Sequence, residues 1–266
     1  MKNKIKVIVT GALGKMGLET VKAVINDNDL ELVGAVDARA KGEKISTLTG
    51  LSGCTIKVER DLDEVIDRTK PDVMIDFTNP QAVFNNSKTA LNRHVTCVIG
   101  TTGLNDIEIK HLEKMSADKE VGIAIIPNFA IGAVLMMKFA SQAARYFSDV
   151  EIIELHHDQK MDAPSGTAIK TAEMINQNRG SRPPKNIREF EKIAGCRGGD
   201  VDQIRIHSIR LPGLIAHQEV IFGGGGQSLK IRHDSYDRGG FMQGVIMVVK
   251  KMVGTTGLIY GMENLL

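Results

Sequence analysis

The sequence predicts an α/β protein, with a parallel sheet covered by helices in its first half and a smaller α+β domain with a mixed or antiparallel sheet in its second half. Two observations predict this division. Short apolar segments alternate with helix-like segments from residue 5 to residue 127, whereas three strand candidates follow one another between residues 202 and 236. The length of 266 residues allows one large domain or two small ones.

The composition is that of an ordinary globular protein. Its 34 Lys and Arg against 32 Asp and Glu leave a net charge of +2, and aromatic residues make up only 4% of the chain, so neither nucleic-acid nor membrane binding is expected. No apolar run is long enough for a transmembrane helix, and a glycine motif interrupts the N-terminal apolar run too early for a signal peptide. We therefore expect a cytoplasmic protein. The cysteines are odd in number and far apart, which favours free thiols over a disulfide or zinc site: Cys54, Cys97 and Cys196.

The first half contains the strand and helix candidates of a parallel sheet. Strand candidates lie at 5–10, 30–37, 72–78, 94–100 and 121–127, and helix candidates lie after the first glycine turn, at 80–92 and at 105–117. The strands are short and rich in Val and Ile, as expected when both faces of a sheet are buried. This alternation indicates right-handed βαβ units and a Rossmann-like architecture. The polar segment 41–55 is interpreted as an irregular connection.

The second half begins with a strand candidate at 148–157 and a helix at 165–178. After a polar loop at 179–200 come strand candidates at 202–211, 216–223 and 227–236, with a glycine hairpin turn at 223–226. The apolar segment from residue 241 is expected to be a helix that returns to the first domain. We predict a first domain of 1–127 completed by 240–266, and a second domain of 128–239.

A glycine motif follows the first strand. "VTGALGKMG" places Gly11, Gly14 and Gly17 between a strand and a helix. Gly11 permits the tight turn, Gly14 lets the backbone approach a pyrophosphate, and Gly17 permits close packing of helix on strand. The helix N-terminus then offers N–H groups and the positive end of its dipole. The alternative is a glycine-rich turn without a ligand, but the position at the first βα turn favours a dinucleotide site.

The end of the second strand bears on the choice of dinucleotide. Asp37 lies 20 residues after Gly17, where a carboxylate binds the adenosine ribose hydroxyls and favours NAD. Arg39 and Lys41 follow, and a guanidinium in this place either pairs with a 2′-phosphate or is simply a solvated charge. The choice between NADH and NADPH therefore stays open.

Two further strand ends carry small polar residues. "DFTNP" (76–80) and "VIGTTG" (98–103) lie where a doubly wound sheet binds its ligands. Three residues there allow a nicotinamide ribose to approach the backbone: Gly100, Thr101 and Thr102. Ordinary turn chemistry at a strand end is the alternative. The segment 126–132 is expected to be the hinge into the second domain.

Two adjacent histidines end the strand at 148–157. His156 and His157 should point to opposite faces, and Lys160 follows on the loop. An imidazole titrates near neutral pH and suits a general acid. A metal site is disfavoured because HHxxK with Asp162 is poor ligand spacing, and a Schiff-base lysine is disfavoured because such a lysine usually requires desolvation. No metal is expected.

A helix start follows these residues. Ser165 is the expected N-cap, and Gly166 and Thr167 present backbone N–H groups in the first turn. Together with the nearby ammonium of Lys160 they form an anion site that suits a carboxylate. A structural polar loop is the default for each residue alone, but the combination favours acid catalysis beside a bound carboxylate.

The segment "ELHHDQKMDAPSGTA" resembles the signature E-x-H-H-x-x-K-x-D-x-P-S-G-T-A of the dihydrodipicolinate reductase family. Segments resembling other parts of the family pattern occur in the same order: "VTGALGKMG", "DFTNP", "VIGTTG", "PNFAIGA", "HSIRLPG" and "IRHDSYDRGGF". The chain departs from the pattern at "IAHQE" around His217 and at "AIGAVL" (130–135).

The resemblance implies roles for individual residues. It implies that His156 and Lys160 are the catalytic proton donors, and that His157, Ser165, Gly166 and Thr167 bind substrate. The implied cofactor contacts are Gly11, Ala12, Leu13, Gly14, Lys15, Met16, Asp37, Gly100, Thr101, Thr102, Ile126, Pro127, Asn128 and Phe129, and Arg39 is a further candidate because it lies two residues after Asp37.

The resemblance also implies an activity. It is the NADH- or NADPH-dependent reduction of the cyclic dicarboxylate 4-hydroxy-2,3,4,5-tetrahydrodipicolinate to 2,3,4,5-tetrahydrodipicolinate and water, in lysine and diaminopimelate biosynthesis. The second domain would bind substrate and join four chains into a homotetramer. A different Rossmann oxidoreductase would share the glycine motif but has no use for HHxxK before PSGT, and a non-catalytic NAD(P)H sensor would tolerate loss of His156 and Lys160.

Overall fold

The computed structural model describes residues 3–180 and 190–266, and within these it contains a seven-stranded and a five-stranded sheet. Part of the predicted polar loop, residues 181–189, lies outside the described residues. The chain forms two compact units, one made of the residues up to Phe129 together with Phe241–Leu266, and the other of Ala130–Gly240.

The strands, in chain order, are β1 (Ile5–Thr10), β2 (Leu30–Val36), β3 (Val58–Glu59), β4 (Val73–Asp76), β5 (Thr96–Ile99), β6 (Gly122–Ile125), β7 (Asp149–His156), β8 (Gly199–Val201), β9 (Ile204–Arg210), β10 (Ala216–Gly224), β11 (Gln227–Ser235) and β12 (Gly257–Tyr260). The α-helices are α1 (Lys15–Asn26), α2 (Ile45–Thr49), α3 (Leu62–Thr69), α4 (Pro80–Asn92), α5 (Asp106–Lys119), α6 (Ile131–Ala143), α7 (Gly166–Asn178) and α8 (Met242–Met252). Short 3₁₀ helices span Arg238–Phe241 and Met262–Asn264.

The first unit is built on the parallel sheet, whose strand order is β12-β6-β5-β4-β1-β2-β3. The central strands are buried along their length, which is why their sequences are continuous apolar runs. The strand order reverses between β1 and β4, because β1 has β2 on one side and β4 on the other. In a sheet of this kind ligands bind at the carboxyl ends of the strands beside such a reversal.

The helices at this edge begin at residues that the sequence marks clearly. The side chain of Asn79 accepts hydrogen bonds from the amides of Gln81 and Ala82, and Pro80 occupies the first helical position of α4. Helix α5 starts with a capping box formed by Asn105 and Glu108. These caps explain why both helices were predictable to within two residues of their observed ends.

The second unit is built on the mixed sheet, with the order β11-β10-β7-β9-β8. Strand β7 pairs parallel with β9 and antiparallel with β10, while β10 and β11 form a hairpin that turns at Gly225 and Gly226. Helices α6 and α7 pack on each other, α6 contacts β11, and α7 contacts β7 and β8. The predicted fold class, a Rossmann-like parallel sheet followed by a mixed-sheet α+β domain, is confirmed.

Several elements were not predicted. Helix α2 lies inside the segment interpreted as an irregular connection, and β8 begins at the end of the predicted polar loop. Strand β3 has two residues and β8 has three, too few to show an alternating pattern. Helix α6 is apolar around most of its circumference, so its sequence lacks the periodicity of a half-buried helix. Helix α3 and strand β12 were also missed.

A helix that crosses a membrane must be both long and apolar. Across residues 3–180 and 190–266, none of the helices has both the length and the apolar character needed to cross a bilayer.

Candidate active site

The glycine turn between β1 and α1 is closely packed. Gly11 has a φ of +76°, and a Cβ there would lie 2.3 Å from the carbonyl oxygen of Phe77. A Cβ on Gly17 would lie 2.0 Å from the carbonyl oxygen of Gly11. Helix α1 begins after Gly14, and within the described residues neither a capping side chain nor an acidic residue occupies its first turn. Its N-terminus is thus suited to an anion.

The amides of the turn are tied to the end of β2. Gly11 and Ala12 donate to the carbonyl oxygen of Val36 at 2.8 and 3.1 Å, and Leu13 donates to Asp37 Oδ2 at 3.0 Å. A pyrophosphate would therefore meet the amides of the first α1 residues, Lys15 and Met16. The turn and helix fit a dinucleotide, since the missing Cβ atoms allow a close backbone approach.

Asp37 follows β2 directly and is paired with Arg39. Arg39 donates to Asp37 Oδ1 through its backbone amide at 2.9 Å and its Nε at 3.1 Å. Burial acts to raise the pKa of Asp37, but hydrogen bonds from Arg39 and Leu13 outweigh it, so the pKa is lowered and the carboxylate stays ionised. The Arg39 side chain is 69% exposed, whereas that of Asp37 is 6% exposed, so the guanidinium lies at the surface over a buried carboxylate.

A second buried carboxylate, Asp76, joins the three strand ends beside the glycine turn. It is fully buried and accepts hydrogen bonds from the hydroxyls of Thr10, Thr78 and Thr101, each at 2.7 Å. The Thr78 amide at 3.0 Å and Asn86 Nδ2 at 2.8 Å complete its shell. These five donors are neutral, so hydrogen bonds alone hold the carboxylate and couple the ends of β1, β4 and β5.

The remaining predicted cofactor residues lie at the ends of β5 and β6. A Cβ on Gly100 would lie 2.1 Å from Cε1 of Phe77, and the Phe77 and Phe129 rings are 5.7 Å apart. The amide of Ile126 donates a hydrogen bond to the carbonyl oxygen of Ile99 at 2.8 Å. The side chains of Ile126 and Phe129 are buried, that of Asn128 is half-buried, and those of Thr102 and Pro127 are exposed. The two buried side chains support the backbone of this segment.

In the second unit, His156 is bound to a buried carboxylate that the sequence-based site did not include. His156 Nδ1 lies 2.5 Å from Oε2 of Glu154, which is fully buried. Arg210 donates to both Glu154 oxygens, at 2.8 and 2.9 Å. Burial acts to raise the pKa of Glu154, but hydrogen bonds from His156, Arg210 and Ser208 lower it to about 2.

The loop after β7 carries the other predicted groups. His157 lies just beyond the strand and is exposed. Lys160 is half-buried, and its Nζ contacts the two carboxylate oxygens of Asp162 at 2.6 and 2.8 Å. This ion pair holds the ammonium within the loop between His156 and the start of α7.

The N-terminus of α7 has the predicted cap. Ser165 Oγ accepts the amide hydrogen of Ala168 at 3.2 Å, and the Ser165 amide donates to Glu154 Oε1 at 3.2 Å. Gly166 is exposed, and a Cβ built on it would meet nothing within 4 Å. The first turn begins at Gly166, where the space beside the backbone is open, as carboxylate binding at a helix N-terminus requires.

Among the described residues, the site gives no support to metal binding or to a reactive thiol. Within the part of the chain that the structure describes, no group of three or more His, Cys, Asp or Glu side chains is arranged to hold a metal ion. Cys97 is fully buried in β5, and burial together with the charge of Asp76 raises the pKa of its thiol, so the thiolate form is suppressed.

Sequence reasoning missed Glu154, Arg210 and Asp76 as parts of the site. A signal was present for Glu154, because residues two apart on a strand share a face and Glu154 is two residues before His156. Arg210 lies within the segment "HSIRLPG" that resembles the family pattern, but it is 56 residues from Glu154, so the sequence did not indicate their pairing. Asp76 lies within "DFTNP", but its role depends on Thr10 and Thr101, which only the sheet brings together.

Comparisons with known proteins identify the family of the chain. The family model "Dihydrodipicolinate reductase, N-terminus" matches residues 5–129, and "Dihydrodipicolinate reductase, C-terminus" matches residues 132–266. A protein from Syntrophomonas wolfei named 4-hydroxy-tetrahydrodipicolinate reductase is 72% identical over the whole of both chains. One of the same name from Desulfitobacterium hafniense is 51% identical over 99% of each.

Solved structures give the same result. A dipicolinate-bound dihydrodipicolinate reductase from Paenisporosarcina sp. TG-14 has a TM-score of 0.89 and 46% identity, covering 99% of this chain and 100% of its own. An amine dehydrogenase from Mycobacterium smegmatis has a TM-score of 0.65 at 12% identity, covering 96% of this chain and 94% of its own, which shows a shared fold alone. With family models spanning nearly the whole chain and relatives this similar, the chain belongs to the dihydrodipicolinate reductase family.

Proposed function

We propose that this protein reduces 4-hydroxy-2,3,4,5-tetrahydrodipicolinate to 2,3,4,5-tetrahydrodipicolinate and water, in lysine and diaminopimelate biosynthesis. The observation that carries the proposal is His156 held on a buried carboxylate beside the open N-terminus of α7. That combination places a proton donor next to a site for a carboxylate, as this reaction needs. As a member of its family, the chain is an oxidoreductase that uses a pyridine nucleotide.

The cofactor is assigned to the first unit. The reduced nicotinamide supplies the hydride when bound. The glycine turn with Ala12 and Leu13 would shape the space for the pyrophosphate, and the amides of the first α1 residues would bind it. The segments with Gly100, Thr101 and Thr102, and with Ile126, Pro127, Asn128 and Phe129, would hold the nicotinamide half. The uncapped α1 terminus and the missing Cβ atoms of the turn support this assignment.

Both NADH and NADPH are proposed as cofactors. Asp37 suits the ribose hydroxyls of NADH, and Arg39 suits the 2′-phosphate of NADPH once its guanidinium leaves Asp37. The high exposure of Arg39 supports this exchange of partners, since water can replace its two side-chain hydrogen bonds to Asp37 while it moves.

The substrate is assigned to the second unit. One carboxylate of the cyclic dicarboxylate would bind the amides of Gly166 and Thr167, assisted by Ser165, with His157 and Lys160 beside it. The similar structure from Paenisporosarcina holds dipicolinate, a planar dicarboxylate, which supports a substrate of this class. The exposed Gly166 leaves room for such a ring.

Proton transfer is assigned to His156 and Lys160. Hydride addition occurs at the ring carbon that loses its hydroxyl, and the hydroxyl leaves as water when His156 or Lys160 supplies a proton. Glu154 accepts the Nδ1 hydrogen of His156, so Nε2 is the atom available to the substrate. Lys160 is the other candidate donor of this single proton and is also a partner for the substrate carboxylate.

We further propose a cytoplasmic homotetramer. The cofactor domain would span 1–127 with 240–266, and the domain 128–239 would bind substrate and associate with other copies. The division of the chain after Phe129 and after Gly240 supports these limits. Light scattering of the purified protein tests the tetramer directly.

A coupled assay tests the activity. Aspartate semialdehyde and pyruvate are condensed by the preceding enzyme of the pathway, and loss of reduced-nicotinamide absorbance is followed with NADH and NADPH in parallel. Oxidation that depends on the condensation product supports the proposal. Binding of either cofactor without any oxidation would replace the reductase with a nucleotide sensor.

A further inference from the structure

Glu154 contacts two parts of the proposed substrate site, the proton donor His156 and the cap of α7. Through Arg210 it is also connected to the loop that carries Lys160. Glu154 Oε2 contacts His156, and Glu154 Oε1 accepts the amide of Ser165, which is the cap of α7. The Glu154 side chain is fully buried, so solvent does not screen these contacts. A single carboxylate therefore links the proposed proton donor to the proposed anion site.

Arg210 completes this arrangement. It lies opposite His156 in the parallel pairing of β7 and β9, and its two terminal nitrogens donate to the two Glu154 oxygens. The Nη2 atom also donates to the carbonyl oxygen of Asp162 at 2.8 Å. The loop that carries Lys160 is thus anchored to the same carboxylate, through Arg210.

The contacts determine which nitrogen of His156 carries hydrogen. An ionised carboxylate only accepts hydrogen bonds, so the neutral imidazole beside Glu154 must carry its hydrogen on Nδ1. When His156 is protonated, Nδ1 keeps its hydrogen bond to Glu154 and Nε2 holds the second proton. Only the Nε2 proton then exchanges with a ligand.

We infer that Glu154 and Arg210 are positioning residues: they hold His156 in the Nδ1–H form with Nε2 toward the substrate, and they align it with the α7 anion site. The inference rests on the proposed function for its catalytic meaning, because it assigns no contact with substrate to either residue. It adds to the proposed function that one ion pair, Glu154 with Arg210, holds both the proton donor and the anion site in place.

Replacement of Glu154 by Gln gives a specific expectation. Arg210 donates to both Glu154 oxygens, but only the Oε1 position also receives the Ser165 amide, which cannot become an acceptor. In Glu154→Gln the amide oxygen should therefore take the Oε1 position, and the amide nitrogen should face His156 Nδ1. The neutral imidazole is then expected to carry its hydrogen on Nε2. Nitrogen-15 NMR of histidine-labelled protein distinguishes the two forms, and this readout requires no turnover.

The same variant is then assayed. We expect kcat to fall roughly 10²- to 10⁴-fold, the range for removing a general acid or the carboxylate that orients it, with the dissociation constant for NADPH unchanged. A His156 that keeps the Nδ1–H form in Glu154→Gln, or a kcat within about threefold of wild type, would overturn the inference.

A matched control lies on the same strand. Glu151 also pairs with a histidine and an arginine, His207 at 2.8 Å and Arg197 at 2.5 Å. It is three residues from Glu154, an odd spacing that puts it on the other face of β7. Glu151→Gln should leave both kcat and the His156 spectrum unchanged, and an equal effect of both variants would point to general damage to the sheet instead.

Arg210→Lys covers the case in which Glu154→Gln does not fold. It keeps the positive charge and the Glu154 carboxylate, so His156 should stay in the Nδ1–H form, while loss of the Asp162 contact should weaken dipicolinate binding about tenfold. A switch of tautomer in Arg210→Lys, or unchanged dipicolinate binding, would contradict the assigned roles.

The two proposals fail in different ways. If His156→Gln retains full activity, the acid role of His156 fails, and the catalytic part of the inference fails with it. If His156→Gln is inactive but Glu154→Gln is fully active, the proposed function survives and only the positioning role is lost.

Discussion

His156 is the residue whose replacement tests the proposed chemistry most directly. In His156→Gln the general acid is lost, so kcat should fall by about two to four orders of magnitude while the dissociation constant for NADPH stays the same. The control is His207→Gln, because His207 is bound to Glu151 away from the proposed site. Steady-state kinetics with both variants decide the matter: a kcat within a few-fold of wild type for His156→Gln would remove its acid role.

Arg39 is the residue expected to bind the 2′-phosphate of NADPH and so to lower KM for that cofactor. Arg39→Ala should raise KM for NADPH about 10- to 100-fold, the equivalent of a lost charge-assisted hydrogen bond, and change KM for NADH by less than about threefold. Parallel KM measurements for the two cofactors check this. Arg68→Ala is the control, since Arg68 forms a surface pair with Glu59. Equal losses with NADH and NADPH would mean that Arg39 acts by holding Asp37.

At the scale of elements, the glycine turn and α1 act as one packed unit. Gly17→Ala would place a Cβ 2.0 Å from the backbone oxygen of Gly11, which cannot be relieved by a side-chain movement. We expect the turn to shift and the dissociation constant for NADPH, measured by fluorescence titration, to rise at least about tenfold. Gly223→Ala is the control, because a Cβ there meets nothing within 4 Å. A folded Gly17→Ala protein with wild-type affinity would exclude this account.

The elements that the sequence predicted best are those with local signals. Helices α4 and α5 have side-chain caps, and the Ser165 cap of α7 was predicted and is confirmed. Two of the missed strands lack such signals: β3 pairs over only two residues, and β12 joins the parallel sheet from the far end of the chain. Their formation depends on neighbours that are distant in sequence. Helix α3 was missed although the side chain of Asp61 caps it.

At the scale of the whole molecule, the Glu154 cluster links stability to pH. The pKa of Glu154 is lowered from 4.5 to about 2 in the folded chain, so its contribution is complete above pH 4.5 and is lost as the pH falls toward 2. The full contribution is on the order of 3 kcal/mol, and about 2 kcal/mol of it should be lost between pH 7 and pH 3.

Glu154→Gln removes this pH-dependent part. Denaturant unfolding at pH 7 and pH 3 should therefore show a smaller acid-induced loss of stability in Glu154→Gln than in wild type, by about 2 kcal/mol. Asp162→Asn is the comparison, because the pKa of Asp162 is also lowered, by Lys160, but its side chain is exposed and solvent screens the pair. Equal acid sensitivity of wild type and Glu154→Gln would show that the buried pair does not stabilise the fold in this way.

The amino-acid sequence by itself determined the features that depend on residues a few positions apart: the glycine turn after β1, the alternation of buried strands and helices, and the cap of α7 beside His156 and Lys160. Only the tertiary structure decided which distant groups complete the site. Glu154 meets Arg210 across 56 residues, and Asp76 meets Thr10 across 66 and Thr101 across 25. The physical reason is burial: a charge removed from water needs partners in fixed positions, and strand pairing brings them there from remote parts of the chain.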